Sequence, residues 1–281
     1  MGFFNRIIGF IRTTLPTRDV AALTCDLAEP ALQLHTTDAA AKSYFGGLPE
    51  APADFAWPVY HGRPLTLLAT LCLDELAGAR QFSWLPAKGR LLFFYDAVAQ
   101  PWGFDPEESE GWRVLFIDGD GTSLAEVQPP EELSEDYILP RYTIGLRAVN
   151  TFPSWEREAA ARLRLNDAEL DLYSDIRFNV YNGSPHHQIG GYPDPLQNDR
   201  MELECQLVSN GLYCGDNSCF ESERALAMRK DAADWRLLLQ MDSDDELAVM
   251  WGDAGLLYFW IKESDAKEGR FDKAWLVLQC S

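Results

Sequence analysis

Basic residues are scarce in this chain of 281: 24 Lys and Arg stand against 44 Asp and Glu, a formal charge of -20 at pH 7. Binding to a phosphate backbone needs clustered Lys and Arg, so a general nucleic-acid role is excluded. No apolar run approaches the ~20 residues that a membrane-spanning helix needs. Cysteine is sparse, at positions 25, 72, 205, 214, 219 and 280, with no CxxC pair. That is too little for a disulfide scaffold and reads as reduced thiols in a cytoplasm. The GxSxG, HExxH, GxGxxG and GxxxxGK[ST] patterns are all missing, so no catalytic class and no cofactor is implied, and the chain reads as a non-enzyme. What is present is 47% hydrophobic and 12% aromatic residues, enough apolar surface for a sizeable core.

The N-terminus is the exception to the acidic composition, since residues 1–20 carry +2. Phe3, Phe4, Ile7, Ile8 and Ile11 fall on one helical face, with Arg6 and Arg12 elsewhere on the wheel. The uninterrupted apolar stretch and small-residue cleavage site of a signal peptide are both missing. Residues 1–43 therefore read as an N-terminal helical segment, with a helix over 17–29 and with residues 1–12 able to touch a membrane surface.

Internal similarity organises the rest. Phe45-Gly46-Gly47-Leu48-Pro49 is matched by Ile189-Gly190-Gly191-Tyr192-Pro193. LTLLATLCLDEL at 65–76 is matched by WRLLLQMDSDDEL at 235–247, Gly89-RLLFFYD by Gly255-LLYFWIK, and Trp112-RVLFID by Trp275-LVLQCS. Four elements recurring in order predict two versions of one unit, about 45–117 and 189–279. Their Leu-, Val- and aromatic-rich runs bounded by Gly, Pro and Asp predict strands, and the continuous apolar stretches predict burial on both faces. Each Gly-Gly pair predicts a tight turn at positive φ. Helices are expected at 155–165 behind Ser154, at 166–173 behind the capping box Asn166-x-x-Glu169, and at 220–230. Residues 101–136 read as an irregular acidic excursion, and 137–188 as the connection between units. The fold class is α+β: two duplicated, sheet-rich units, mostly antiparallel or mixed, packed together with helices in the connections.

The same residues carry a family resemblance. FGGLPEAPADFAWP, LPAKGRLLFFYD, WGFDPEESEGWRVLF, IGGYPDPLQNDRMELE, WRLLLQMDSDDE and MWGDAGLLYFWI together resemble the YwqG family of bacterial proteins, a domain of unknown function, over residues 44–281. The resemblance implies a duplicated, sheet-rich α+β fold and brings no catalytic residue or cofactor. Members that neighbour toxin systems suggest an immunity role. This chain departs from the family's Ala-Gln after the first Leu-rich strand, where it has Ala69-Thr70.

Four constellations remain. Between Asp105 and Asp136 stand 11 acidic residues and one basic, half of the whole net charge. Asp105, Glu107, Glu108 and Glu110 are the candidates there for docking a basic, toxin-like protein partner, against the plainer reading of a solvated loop. Asp242, Asp244 and Glu246 form a carboxylate-rich turn that a hard cation could use, although the EF-hand glycine and glutamate spacing fails. His186-His187, with Cys205, Cys214 and Cys219 downstream, offer zinc or proton-transfer chemistry in no known ligand spacing. Trp57, Trp84, Trp102 and Trp155 lie in Pro-bounded or helix-start segments. With His187 and Asp253, Trp57 and Trp102 are the candidates for a ligand cleft between the units. The leading expectation is a cytoplasmic binding protein acting on another protein; the alternative is a small-molecule or enzymatic site in that cleft.

Overall fold

A computed structural model describes residues 18–76, 82–119 and 123–281. The expected amphipathic segment at residues 1–12 lies outside the described residues. Ten strands form one sheet: β1 (Glu29–Thr36), β2 (Tyr44–Phe45), β3 (Thr66–Cys72), β4 (Arg90–Tyr95), β5 (Trp112–Ile117), β6 (Tyr142–Thr151), β7 (Gln188–Ile189), β8 (Trp235–Asp242), β9 (Leu256–Lys262) and β10 (Trp275–Gln279). Their order is β10-β9-β8-β7-β1-β6-β2-β3-β4-β5, with every pairing antiparallel. Short ribbons at Glu50–Ala51 with Ala125–Glu126, and at Val59–Tyr60 with Arg63–Pro64, lie outside it. Helices sit in the connections: α1 (Val20–Thr24), α2 (Glu158–Ala161), α3 (Asp167–Phe178), α4 (Met201–Val208), α5 (Glu223–Met228) and α6 (Glu263–Lys267).

The sheet curls until its two edge strands nearly meet. The Trp112 indole N–H at the start of β5 donates to the Ala274 carbonyl at 3.0 Å, and the Trp275 N–H on β10 donates to the Gly103 carbonyl at 2.8 Å. The two rings meet edge to face, 4.9 Å between centroids. Inside the curl, Phe93 of β4 meets Phe259 of β9 at 5.3 Å and Tyr95 meets Trp251 at 5.7 Å. Residues one step along these strands face outward yet are also buried. Leu92 and Phe94 pack with Leu65, Leu67 and Tyr44 beneath a cover formed by Phe55, Trp57 and Tyr60. Burial on both faces explains why these strands are continuous apolar runs rather than alternating ones. The chain before β5 also blunts an edge, because Leu278 of β10 donates its N–H to the Trp102 carbonyl at 3.1 Å.

Both Gly-Gly turns take the expected left-handed backbone, with φ of 58° and 66° at Gly46 and Gly47, and 66° and 69° at Gly190 and Gly191. A Cβ on Gly46 would stand 2.2 Å from the Pro140 carbonyl oxygen. The capping box also forms: Asn166 accepts from the Glu169 N–H at 3.1 Å while Glu169 accepts from the Asn166 N–H at 3.0 Å.

Other expectations need correction. The helix expected at 155–165 is one turn, Glu158–Ala161, and Ser154 does not cap it. Ser154 and Arg157 instead direct their backbone N–H and guanidinium to Asp199, and Arg164 turns the chain at φ 48°. The segment 1–43, read as helical, contains β1. The supposed connection 137–188 contains β6, the longest strand. These two pair along eight residues, Glu29↔Thr151 to Thr36↔Ile144, at the centre of the sheet. Trp112 and Trp275 do not stand in matching registers either: Trp112 faces Tyr95, whereas Trp275 faces Trp260.

The near-closure yields a paired prediction. Gly62 and Gly103 have similar φ, 78° and 81°, but a Cβ on Gly62 meets nothing within 4 Å whereas one on Gly103 would lie 1.8 Å from the Leu276 carbonyl oxygen. Gly62→Ala is expected to cost about 1–2 kcal/mol from the backbone alone. Gly103→Ala is expected to exceed it by about 2 kcal/mol or more, because the seam must also open. Urea denaturation of the two variants measures the difference, and equal losses would contradict the seam.

Candidate functional site

A cleft of about 780 Å³ lies where residues from the first half of the chain meet β8 and β9. That volume falls within the range of ligand sites. Trp235 and Leu237 of β8 and Trp260 of β9 line it, opposite Phe82 and Trp84 from the connection between β3 and β4. Gly190, Gly191 and Tyr192 form one wall, the residues around the start of α4 another, and Glu29 and Glu263 also line it. The glycines belong there for steric reasons: a Cβ on Gly190 would stand 2.4 Å from the Phe82 ring, and one on Gly191 2.4 Å from the Thr151 hydroxyl.

Charge in the cleft is balanced. Arg157 donates to Asp199 at 2.7 Å, lies 2.8 Å from Glu202, and stands over the Tyr192 ring at 5.2 Å. Burial raises the Glu202 carboxyl while Arg157 pulls it down. A guanidinium keeps its proton, and at 2.8 Å we take the pair as ionised at neutral pH. Arg236 pairs with Glu263 at 2.8 Å, and Arg200 reaches Glu204 at 3.4 Å while lying over Phe220 at 4.1 Å. One polar group is left over on the lining: Trp260 is 2% exposed, and its indole N–H has no partner among the described residues. A buried donor without an acceptor costs about 1–3 kcal/mol, which makes it a place to look for a ligand.

The residues singled out from the sequence do not converge here. Trp84 lines the cleft; Trp57, Trp102, His187 and Asp253 do not. Trp57 is half-buried on the other outer face, donating to the Leu65 carbonyl at 2.8 Å. Trp102 is 39% exposed, and Trp155 is exposed as well. Asp253 lies on the surface, where its carbonyl accepts from the Ser281 N–H at 3.2 Å. In the acidic stretch, Asp105 caps a 3-10 turn by accepting from the Glu107 N–H at 2.9 Å. Glu108 accepts from the Gly103 N–H at 2.8 Å, and Glu110 pairs with Arg113.

His187, Asp244 and Glu246 do come together, around a smaller hollow of about 390 Å³ beside Gln33 and Arg147. The geometry leaves the imidazole no free nitrogen. His187 Nδ1 accepts from the Asp242 N–H at 3.0 Å, so the proton sits on Nε2, 3.1 Å from Asp244. The Asp244 carboxyl is held below its usual value, first by this bond to His187. Asp242 accepts from the His186 N–H at 2.9 Å, and Glu246 from the Thr36 hydroxyl at 3.0 Å. His186 stacks on Tyr181 at 3.8 Å and bonds Asp194 at 2.6 Å. The Cys214 and Cys219 sulfurs contact each other at 3.1 Å, away from both histidines' partners. Among the described residues, no group of three or more His, Cys, Asp and Glu is placed to hold a metal.

Sequence reasoning missed the charged part of the cleft. Arg157 stood in the helix expected at 155–165, and Asp199, Arg200 and Glu202 were read only as part of a motif that carries the family resemblance. Their signal was the mixed charge of DRMELE directly after that turn.

A family model described as a domain of unknown function (DUF1963) matches residues 43–280, and the chain belongs to that family. No curated protein matches the chain. Among the described residues, no helix is long and apolar enough to cross a membrane.

Glu204, in α4 beneath the cleft wall, makes the electrostatics testable. Its Oε2 has no partner among the described residues, and burial pushes its carboxyl up to about 7. A carboxyl whose pKa is raised by folding favours the native state while protonated. Its contribution is therefore full below the unfolded value of about 4.3 and is lost as pH rises through about 7. Glu204→Gln removes that titration. The variant is expected to gain on the order of 2 kcal/mol over the parent between pH 5 and pH 8. Parallel denaturation curves at the two pH values test this, and an unchanged difference would refute it.

Proposed function

We propose that this DUF1963 member is a non-enzymatic, cytoplasmic binding protein, YwqG-like in its motifs, whose ligand occupies the 780 Å³ cleft. The observation that carries this reading is the cleft's volume and rim: about 780 Å³ bounded by Arg–carboxylate pairs, over buried aromatic side chains that include Trp260, whose N–H has no partner among the described residues. Those charged groups are already engaged with each other, which favours holding a ligand over transferring its protons. His187, the best sequence candidate for acid–base work, has both ring nitrogens engaged elsewhere.

We further infer that the chain is an internal duplication, and that the cleft sits at its junction. Read outward from the β1–β6 pair, β7-β8-β9-β10 and β2-β3-β4-β5 follow the same course. Each half has a register shift at the same place, between Leu67 and Ala69 and between Leu237 and Leu239. Leu34 N–H donates to the His187 carbonyl and Ile144 N–H to the Ser43 carbonyl, both at 2.9 Å. Cys72 N–H donates to the Ser43 hydroxyl at 2.9 Å where Asp242 N–H donates to His187 at 3.0 Å. On this reading each repeat begins one strand earlier than the sequence match, with β1 and with β6. Those two strands are exchanged, since β1 pairs with β7 and β6 with β2. Thr70 then holds the place of Gln240, which accepts from the Asp194 N–H at 2.9 Å.

A second reading, docking of a basic protein as in toxin immunity, draws on the exposed Glu107, Glu131, Glu132, Glu135 and Asp136. It has less support, because Asp105, Glu108 and Glu110 are bound within their own loop.

Ala233 is an exposed residue of the cleft wall, so Ala233→Trp is expected to plug the cleft without disturbing the core. In a thermal-shift screen of small molecules, some compound is expected to stabilise the parent and not this variant. At a hundredfold excess over its dissociation constant the stabilisation is about 2.7 kcal/mol. Compounds that stabilise both proteins alike, or none at all, would remove the reading.

A further inference from the structure

Two of the six cysteines are placed for covalent chemistry, and neither lines the cleft. Cys214 and Cys219 bound the turn CGDNSC that follows α4, and the Cys219 thiol donates to the Cys214 sulfur at 3.1 Å. No other two cysteines hydrogen-bond to each other among the described residues. Both are buried, 7% and 8% exposed, but Gly215, Asp216 and Ser218 between them are exposed. The sulfurs therefore lie one residue beneath solvent. The turn holds them in place. Asp216 accepts from the Ser218 N–H at 2.8 Å, and a Cβ on Gly215 would stand 2.0 Å from the Tyr213 hydroxyl. At one end the Cys214 N–H donates to the Phe104 carbonyl at 2.8 Å; at the other the Cys219 carbonyl accepts from the Ser222 hydroxyl at 3.0 Å.

We propose that Cys214 and Cys219 form a reversible disulfide, made by exchange with a small-molecule disulfide of the glutathione type. A disulfide bond is about 2.05 Å long, so the sulfurs need close by only about 1 Å, within a turn that is already fixed. In the first step a Cys219 thiolate attacks one sulfur of the oxidised glutathione. A protein–glutathione bond forms, and one glutathione leaves as thiolate. In the second step the Cys214 thiolate attacks the Cys219 sulfur and expels the other glutathione. Two electrons pass from the protein to the glutathione disulfide, and the two cysteine protons end on two glutathione thiols. Sulfurs already in contact make the second step intramolecular, which favours the internal bond over the glutathione adduct. Burial, then the hydrogen bond and charge of Cys219, hold the Cys214 thiol well above its ordinary value, which suits it to the second, resolving role. Cys72 and Cys280, equally buried, have no sulfur partner and take no part.

The test equilibrates the full chain in glutathione buffers, from about a hundredfold excess of the reduced form to equal amounts of both. Acid quenching, alkylation and cleavage before Asp216 follow, a cut that separates the two cysteines. At equal amounts the two fragments are expected to stay joined, and dithiothreitol to part them. The link is expected to persist in Cys205→Ser and to vanish in Cys214→Ser and in Cys219→Ser, with Cys214→Ser instead retaining one glutathione on Cys219. Amide exchange over residues 209–222 of the parent is expected to slow about tenfold or more on oxidation and to recover on reduction. Alkylation of both thiols at every ratio would overturn the proposal. So would a glutathione adduct without the internal link, or a link lost in Cys205→Ser.

Discussion

The eight-residue ladder between β1 and β6 is the constraint on which the rest of the structure depends. Neither strand is long in apolar sequence, yet each carries four further strands on its far side. Arg147 of β6 donates to Gln33 of β1 at 2.7 Å across this pair, and the Val180 carbonyl accepts from the same guanidinium at 3.0 Å. With the centre fixed, the twist of antiparallel strands brings the outer strands round until Trp112 and Trp275 meet. The seam in turn fixes the segment from Trp102 to Gly103 against β10, and with it the start of the acidic stretch. A ten-stranded sheet with two exposed edges would invite pairing with other chains; this one brings its edges together and blunts them.

Much of the outer architecture was legible in the sequence, because burial on both faces writes an unmistakable apolar run. RLLFFY and LLYFWI read as strands buried on both faces, which they are, although they lie one in from the sheet's edges and not at its centre, and the two Gly-Gly turns required the positive φ that they have. The ladder itself was hidden. EPALQLHT and YTIGLRAVNT alternate only partly, because β6 is exposed along much of its length. Leu32 and Leu34, like Ile144 and Leu146, keep the period of two but are interrupted by glutamine, glycine and arginine. The short helix at Glu158–Ala161 was over-read for a related reason. WEREAAARLRL has helical composition, but Arg157 and the Ser154 N–H are held by Asp199, some forty residues away.

The site was less legible than the fold. Chemistry-bearing residue types drew attention to His187, Asp244 and the acidic run; His187, Asp244, Asp105, Glu108 and Glu110 are engaged in bonds within the chain, whereas Glu107, Glu131, Glu132, Glu135 and Asp136 are exposed. His187 accepts the Asp242 N–H on Nδ1 and donates its Nε2–H to Asp244, so it cross-links the chain just before β7 to the end of β8 and the turn after it. The cleft is instead built from residues that look ordinary in sequence: three tryptophans in or near strand runs, and a set of Arg–carboxylate pairs.

The central claim is that this opening holds a ligand. Native mass spectrometry of the full chain, incubated with a small-molecule extract of its source cells, tests it most directly when run beside Ala233→Trp. The account predicts one added small-molecule mass on the parent and its loss from the variant. The bare chain mass in both, or the same addition in both, would contradict it.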